Sequence, residues 1–123
     1  VKYDSSGTKH WTKQLGTSKK DHGKALTTDS SGNIYVTGYT SGLENYIGLD
    51  GNTSLGSTDI FLVKYDSSGT KKWTKQFGTS SSDEGTGVTA DSSGNIIQMV
   101  LNNNIFLTKH LTKVSLFSPR ISP

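Results

Sequence analysis

The feature that most constrains the fold of this chain is a long internal repeat. The stretch VKYDSSGTKHWTKQLGTS begins at Val1 and returns as VKYDSSGTKKWTKQFGTS from Val63. When residues 1–34 are aligned with residues 63–96, 25 of 34 positions are identical at a constant offset of 62. A period of this length is typical of architectures that stack copies of one supersecondary unit. We therefore expect about two copies of one such unit.

A shorter signal, Asp-Ser-Ser-Gly, recurs four times and predicts the turns within each unit. The Asp carboxylate can accept hydrogen bonds from main-chain amides just after it, and Gly adopts a left-handed conformation without strain. The predicted structural turns each begin at an Asp and end at a Gly: Asp4 and Gly7, Asp29 and Gly32, Asp66 and Gly69, and Asp91 and Gly94. Each turn lies between two strand-like segments, which predicts a β-hairpin.

One full period contains four strand-like segments, at residues 24–29, 33–40, 59–66 and 70–78. The third, DIFLVKYD, is apolar at both alternating sets of positions, which predicts a strand covered on both faces. The fourth has Trp73 and Phe77 on one side and polar residues on the other, so it belongs nearer a sheet edge. We expect Trp73, Phe77 and the equivalent Trp11 to pack one sheet against the next.

Four antiparallel strands per repeat, packed between like sheets, describe the blade of a β-propeller. The predicted fold class is all-β, with antiparallel four-stranded β-propeller blades in about two 62-residue repeats. The alternatives are a β-sandwich, which does not need near-identical copies, and a β-solenoid, whose repeat is usually shorter. Because propellers close with about 4–8 blades, the ring is incomplete unless about three or four chains associate or the chain belongs to a longer propeller.

The predicted organisation has four parts. Half a blade, with its two outer strands, occupies residues 1–23, a complete blade 24–85, a partial and divergent blade 86–116, and a tail 117–123. After Ile96 the repeat stops and Gly disappears. This break indicates either a frame-shifted or artificial terminus or a divergent last blade. The segments IIQMVL and IFLTKHL, separated by a short Asn-rich turn, predict a tight hairpin.

Composition narrows the classes of function. The chain has no Cys, so it has neither disulfides nor a thiolate metal site. No apolar run is long enough to span a membrane, and no signal peptide is visible. The net charge of +3 comes from Lys residues that alternate with Thr, Gln and Trp in TKHWTKQ and TKKWTKQ. This pattern predicts solvated strands rather than a nucleic-acid interface.

One loop, LDGNTSLGSTD, carries side-chain oxygens of the kind that Ca²⁺ prefers. The candidate ligands are Asp50, Asn52, Ser54 and Asp59. No Glu closes this loop, so an ordinary connection between strands is the alternative. No other cofactor is predicted.

A second candidate set lies in the loops that precede the first strand of each repeat. Asp21, Asp83 and Glu84 could contact a ligand, or the two Asp residues could simply hold the turn. The histidines His10, His22 and His110 are expected at the surface. No nucleophile has a partner base, so no catalytic residue is predicted.

The linked phrases TTDSSGNIYVTGYTSG and STDIFLVKYDSSGTKKWTKQFGTS resemble the bacterial β-propeller repeats of the SBBP type, and the likeness covers residues 1–96. The resemblance implies a propeller blade from a large exported or cell-surface protein. Asp66, Gly69 and Trp73 also resemble the hairpin and inward-packing Trp of quinoprotein-type repeats, a more distant likeness.

The leading functional hypothesis is a non-enzymatic scaffold or interaction module that self-associates or forms part of a longer propeller, with a protein or carbohydrate partner. The alternative is a lectin-like or hydrolase-like propeller whose ligand site forms only when the ring closes. A third possibility is a truncated product of a repetitive gene without an evolved function of its own.

Overall fold

The structure is a computed structural model that describes residues 1–41, 48–102, 104–110 and 116–117, with side chains described as far as Leu101. Within these ranges the strands are β1 (Lys2–Tyr3), β2 (Lys9–Trp11), β3 (Asp21–Thr28), β4 (Ile34–Thr40), β5 (Asp59–Tyr65), β6 (Lys71–Phe77), β7 (Glu84–Ala90), β8 (Ile96–Asn102), β9 (Asn104–His110) and β10 (Leu116–Phe117). They form an N-terminal hairpin, β1–β2, and two four-stranded antiparallel sheets. We call β3–β4–β5–β6 the middle sheet and β7–β8–β9–β10 the distal sheet. The all-β prediction is confirmed.

The middle sheet contains the four strands predicted for one period, joined in chain order. As expected, β5 is covered on both faces, since Ile60, Phe61, Leu62 and Val63 are all buried. Phe61 and Val63 pack on the side of the N-terminal hairpin, with Leu49 and Tyr65. Leu62 packs on the opposite side, toward the distal sheet.

The first strand of the middle sheet starts earlier than its sequence pattern indicates, at Asp21 rather than residue 24. A bulge between Gly23 and Ala25 shifts the register of β3 against β4 and hides the alternation of side chains. The bulge also brings the main chain of His22 against Gly38, where a Cβ atom would collide with the His22 carbonyl. Gly38 therefore permits this close approach of two strands.

The four Asp-Ser-Ser-Gly segments share one hairpin geometry. Gly7, Gly32, Gly69 and Gly94 all have φ between 79° and 85°, and each donates its N–H to the carbonyl of the Asp three residues earlier. One carboxylate oxygen of each Asp accepts two further main-chain N–H bonds, for Asp66 from Ser68 at 3.0 Å and Thr70 at 2.9 Å. The Thr70 N–H is the main reason why the pKa of Asp66 lies below its usual value.

The distal sheet includes the hairpin predicted after the repeat breaks. β8 and β9 pair in register from Ile96 with His110 to Asn102 with Asn104. Phe117, expected in the tail, instead pairs with Lys109 in the short strand β10. The rest of the predicted tail, like residues 42–47 of the long connection in the middle sheet, lies outside the described residues.

The three units stack in chain order. Tyr35 and Leu62 of the middle sheet and Ile96 of the distal sheet form one buried cluster, with Trp73, Val88 and Ala90 packed against it. On the other face of the middle sheet, Trp11 of the N-terminal hairpin stacks on Tyr65, with ring centroids 6.5 Å apart. The middle sheet therefore has a packing partner on each face, and the N-terminal hairpin covers only part of the face that it contacts.

Candidate interaction surface

An open groove lies between the N-terminal hairpin and the middle sheet. The groove has a volume of about 620 Å³ and its walls are mostly apolar. Residues from both sides line it: Val1, Tyr3, Trp11 and Leu15 on one side, and Leu26, Ile34, Val36 and Tyr65 on the other. Exposed fractions of 58% for Tyr3 and 67% for Leu26 show that the apolar surface is accessible to solvent.

The repeat explains why this groove exists. At the offset of 62 residues, β1 and β2 correspond to β5 and β6, so the N-terminal hairpin is the outer half of a four-stranded sheet. β5 pairs with β4 and β6, whereas β1 pairs with β2 alone among the described strands. Among the described strands, β1 therefore has a hydrogen-bonded neighbour on one edge only.

The equivalent interface deeper in the stack is filled. Trp73, the counterpart of Trp11, packs beside Tyr35 of β4, with ring centroids 6.1 Å apart. In the described chain, no aromatic ring of an inner strand packs beside Trp11 as Tyr35 packs beside Trp73. The buried indole N–H of Trp11 has no hydrogen-bond acceptor among the described residues. At the groove, the described chain places no counterpart of the inner strands β3 and β4 beside the N-terminal hairpin.

A second apolar surface lies at the opposite end of the stack, on β8. Ile96, Gln98 and Val100 face inward and are buried, while the alternating Met99 and Leu101 are 44% and 47% exposed. We call Met99 and Leu101 the outer face of β8. The two ends of the stack thus expose apolar side chains on opposite sides of the molecule.

The Asp residues predicted as ligand contacts hold their loops together. Asp21 accepts a hydrogen bond from the main-chain N–H of Thr17 at 2.6 Å, and Asp83 accepts the equivalent bond from Thr79 at 2.6 Å. Asp83 is buried, and the adjacent Glu84, half-buried, begins β7. Asp21 begins β3 and Asp83 precedes β7, so these side chains belong to different sheets.

Three of the four residues predicted to bind Ca²⁺ have different hydrogen-bond partners. Asp50, at φ 51°, accepts hydrogen bonds from Lys71 at 2.8 Å and from the Thr74 hydroxyl. Burial by itself would raise the pKa of Asp50, but these bonds outweigh it and leave the pKa below its usual value.

The remaining candidate ligands have other partners or positions. Asn52 donates to the carbonyls of Leu49 and Thr74, and Ser54 is buried. Asp59 accepts hydrogen bonds from the Leu55 N–H and from Gln76. The carboxylates of Asp50 and Asp59 therefore bind different groups.

The two histidines with described side chains contact an Asp and a Tyr. His10 lies 3.5 Å from the Asp4 carboxylate, and the His22 ring stacks on Tyr39 with centroids 4.6 Å apart. The His110 side chain lies outside the described residues.

One polar contact between the sheets had not been predicted from the sequence. The fully buried Gln98 of β8 donates its amide to the Thr37 hydroxyl of β4 and to the Phe61 carbonyl, the latter at 3.2 Å. Gln98 replaces Val36 of the first copy, and a polar residue in a strand normally indicates a solvent-facing position. The signal available in the sequence was a Gln at a position that is apolar, Val36, in the first copy.

Comparison with known proteins identifies the repeat. The family model of the SBBP beta-propeller repeat matches residues 10–53 and 72–96, more than half of the chain. The chain belongs to this family of beta-propeller repeats.

Two curated relatives are also similar to the chain. An uncharacterized WD repeat-containing protein of Acanthamoeba polyphaga mimivirus is 38% identical over 85 residues, 63% of this chain and 6% of the relative. The regulatory protein FlaEY of Caulobacter vibrioides is 32% identical over 97 residues, 76% of this chain and 10% of the relative. The chain thus spans a tenth or less of the length of these relatives. Among the described residues, no helix is long and apolar enough to cross a membrane.

Proposed function

We propose that this chain is a non-enzymatic interaction module that associates with further copies of itself. The proposal rests on the groove beside Trp11, where apolar side chains of the N-terminal hairpin and the middle sheet are open to solvent in the described chain. In the interface between the middle and distal sheets, Tyr35 and Leu62 supply the apolar side chains at the position equivalent to the groove. Apolar surface of this kind gains free energy when a partner removes it from water.

The occupant that fits best is the outer face of β8 from a second copy. β8 corresponds to β4 in the repeat, so Met99 occupies the position of Thr37 and Leu101 that of Tyr39. In the interface between the middle and distal sheets, Tyr35 and Thr37 of β4 contact the distal sheet. The outer face of β8 in a second copy would therefore bring to the groove a surface equivalent to that of β4.

Association of this kind is head to tail, because two different surfaces meet. Heterologous contacts close into a ring when the rotation between copies allows it, and otherwise grow into a filament. A propeller needs sheets arranged around an axis, so ring closure is the outcome that the family fold favours.

The contacts of the polar groups support a role without catalysis. The carboxylates at the turns hold main-chain amides, Asp50 pairs with Lys71, and the rings of His10 and His22 contact Asp4 and Tyr39. A nucleophile needs a base within hydrogen-bonding reach, and these groups are engaged elsewhere. The exported or cell-surface bacterial origin implied by the family resemblance is part of the proposal.

The test is the absolute mass in solution as a function of concentration. We expect the wild-type chain to form oligomers of the 13.2 kDa unit. Leu26→Lys should weaken association by at least about tenfold, because a charge in the groove loses solvation when the partner docks. Leu55→Lys is the matched control, since Leu55 is 48% exposed and does not line the groove. A monomeric wild type, or equal weakening by both variants, would contradict the proposal.

A further inference from the structure

Asp59, the first residue of β5, has one carboxylate oxygen with no hydrogen-bond partner. The residue is 0% exposed. Its Oδ2 accepts hydrogen bonds from the Leu55 N–H at 2.6 Å and from Gln76 Nε2 at 3.0 Å. Its Oδ1 is buried and unpartnered. A buried carboxylate oxygen without a donor is costly, so a ligand at this atom would stabilise the fold.

The unpartnered oxygen points to a second buried carboxylate. A Cβ atom built on Gly78 would lie 2.6 Å from Asp59 Oδ1 and 2.7 Å from Asp83 Oδ2, so both oxygens converge on the bare side of this glycine. Asp83 is 1% exposed, and the Thr79 N–H and hydroxyl bond to its carboxylate. Gly78 leaves room for the two groups, and any larger residue would fill it.

Two carboxylates that converge in a buried place repel each other unless a cation or a proton lies between them. The ion pairs found among the described residues engage Asp4, Asp50 and Asp66, and none engages Asp59 or Asp83. The Gln76 amide faces Asp59 Oδ2, not Oδ1. A cation for this pair would therefore come from outside the described side chains.

We propose that Asp59 and Asp83 bind a divalent cation of the Ca²⁺ class beside Gly78. No group of three or more His, Cys, Asp or Glu side chains is gathered in the described chain, so two carboxylates supply the charge and main-chain oxygens or water complete the shell. Ca²⁺ accepts such mixed oxygen ligands in flexible geometry, whereas Mg²⁺ demands a strict octahedron.

The position of the pair gives the ion a structural role. Asp59 begins β5 of the middle sheet, and Asp83 immediately precedes β7 of the distal sheet. The two segments already meet, since Thr58 and Ser82 form a parallel bridge and the Asp83 N–H donates to the Thr58 carbonyl at 3.0 Å. A bound cation would fasten the two sheets at this junction.

Binding is tested first on the wild-type chain, by equilibrium dialysis and calorimetric titration with CaCl₂ in metal-depleted buffer. We expect one Ca²⁺ per chain, a higher melting temperature in Ca²⁺, and a smaller effect of MgCl₂. The absence of Ca²⁺ binding by the wild type would overturn the proposal without reference to any variant.

Variants then locate the ion. Asp59→Asn and Asp83→Asn should each weaken Ca²⁺ binding by at least about tenfold, since each removes one of two charged ligands. Asp50→Asn, in the same long connection, is the matched control and should bind Ca²⁺ as the wild type does. If Asp50→Asn abolishes binding while Asp59→Asn retains it, the ion binds elsewhere in the loop. If one Asp variant does not fold, the other and the dialysis result decide.

Discussion

At the scale of single residues, the Asp that opens each turn combines several hydrogen bonds in one side chain. Asp29 shows this best, because it accepts bonds from the Ser31 and Asn33 amides and also from Asn33 Nδ2 at 2.9 Å and the Tyr35 hydroxyl at 3.0 Å. Burial, together with the bond to Asp29, raises the pKa of Tyr35 well above its usual range. The phenol therefore stays protonated and can donate to Asp29.

These bonds predict how stability depends on pH. Burial alone would raise the pKa of Asp29, but the bonds from Asn33, Tyr35 and Ser31 outweigh it, so the pKa in the folded chain lies below 3.8. A lowered pKa stabilises the fold above the unfolded value, and this contribution disappears as the pH falls through the folded value. We expect the melting temperature of the wild type to fall below about pH 4.

Asp29→Asn should lose about 1 kcal/mol of stability at pH 7, because an amide accepts hydrogen bonds from Asn33 and Tyr35 less strongly than a carboxylate does. The loss should be smaller at pH 3, because the carboxylate of the unfolded chain is then largely protonated and the charge-dependent stabilisation of the wild type is reduced. Asp4→Asn is the control, since Asp4 has no aromatic hydroxyl among its partners. Thermal melts at both pH values measure the difference, and an equal loss at pH 3 and pH 7 would count against the charge-based explanation.

At the scale of the elements, the middle and distal sheets are joined by an apolar cluster and by the buried contact of Gln98 with Thr37 and Phe61. Apolar burial is non-directional, whereas a buried hydrogen bond requires its donor and acceptor at defined positions. We therefore assign to Gln98 the alignment of β8 on β4.

Gln98→Leu and Thr37→Val should each cost about 1–3 kcal/mol, because each leaves a buried polar partner less well satisfied. The double variant should cost less than the sum, with a coupling energy of about 0.5–3 kcal/mol. Denaturant unfolding of the four proteins measures this cycle. Gln14→Leu, at an exposed position, should change stability by no more than about 0.5 kcal/mol. Additive costs would show that Gln98 and Thr37 do not act together.

Some strands could be predicted from the sequence and others could not, because only some carry a recognisable sequence pattern. The four strands of the middle sheet were predictable because Asp-Ser-Ser-Gly marks the turns and β5 is apolar on both faces. The start of β3 was not, since the bulge at Gly23 breaks the alternation that marks a strand. β10 carries no periodic pattern, and pairing with β9 alone defines it.

The candidate sites were less predictable than the fold. Asp50 and Asp59 are close in sequence, but Lys71 draws Asp50 to the edge of β6, while Asp59 turns to Gly78. The meeting of Asp59 with Asp83 joins residues from two different repeats. Only the packing of the two sheets brings them together, and no local spacing indicates it.

At the scale of the whole molecule, the stack has two different ends. The groove beside Trp11 lies at one end, and the outer face of β8 lies at the other. We expect these two surfaces to bind each other in successive copies, as the middle and distal sheets bind within one chain.

The most direct test mixes two variants that are each blocked at one end. Leu26→Lys alters the groove and leaves the outer face of β8 intact, whereas Met99→Lys does the reverse, and both positions are exposed in the single chain. Light scattering should show that each variant alone is a monomer and that the equimolar mixture forms a dimer through its one intact pair of surfaces. A mixture that stays monomeric while the wild type associates would contradict head-to-tail binding through these surfaces.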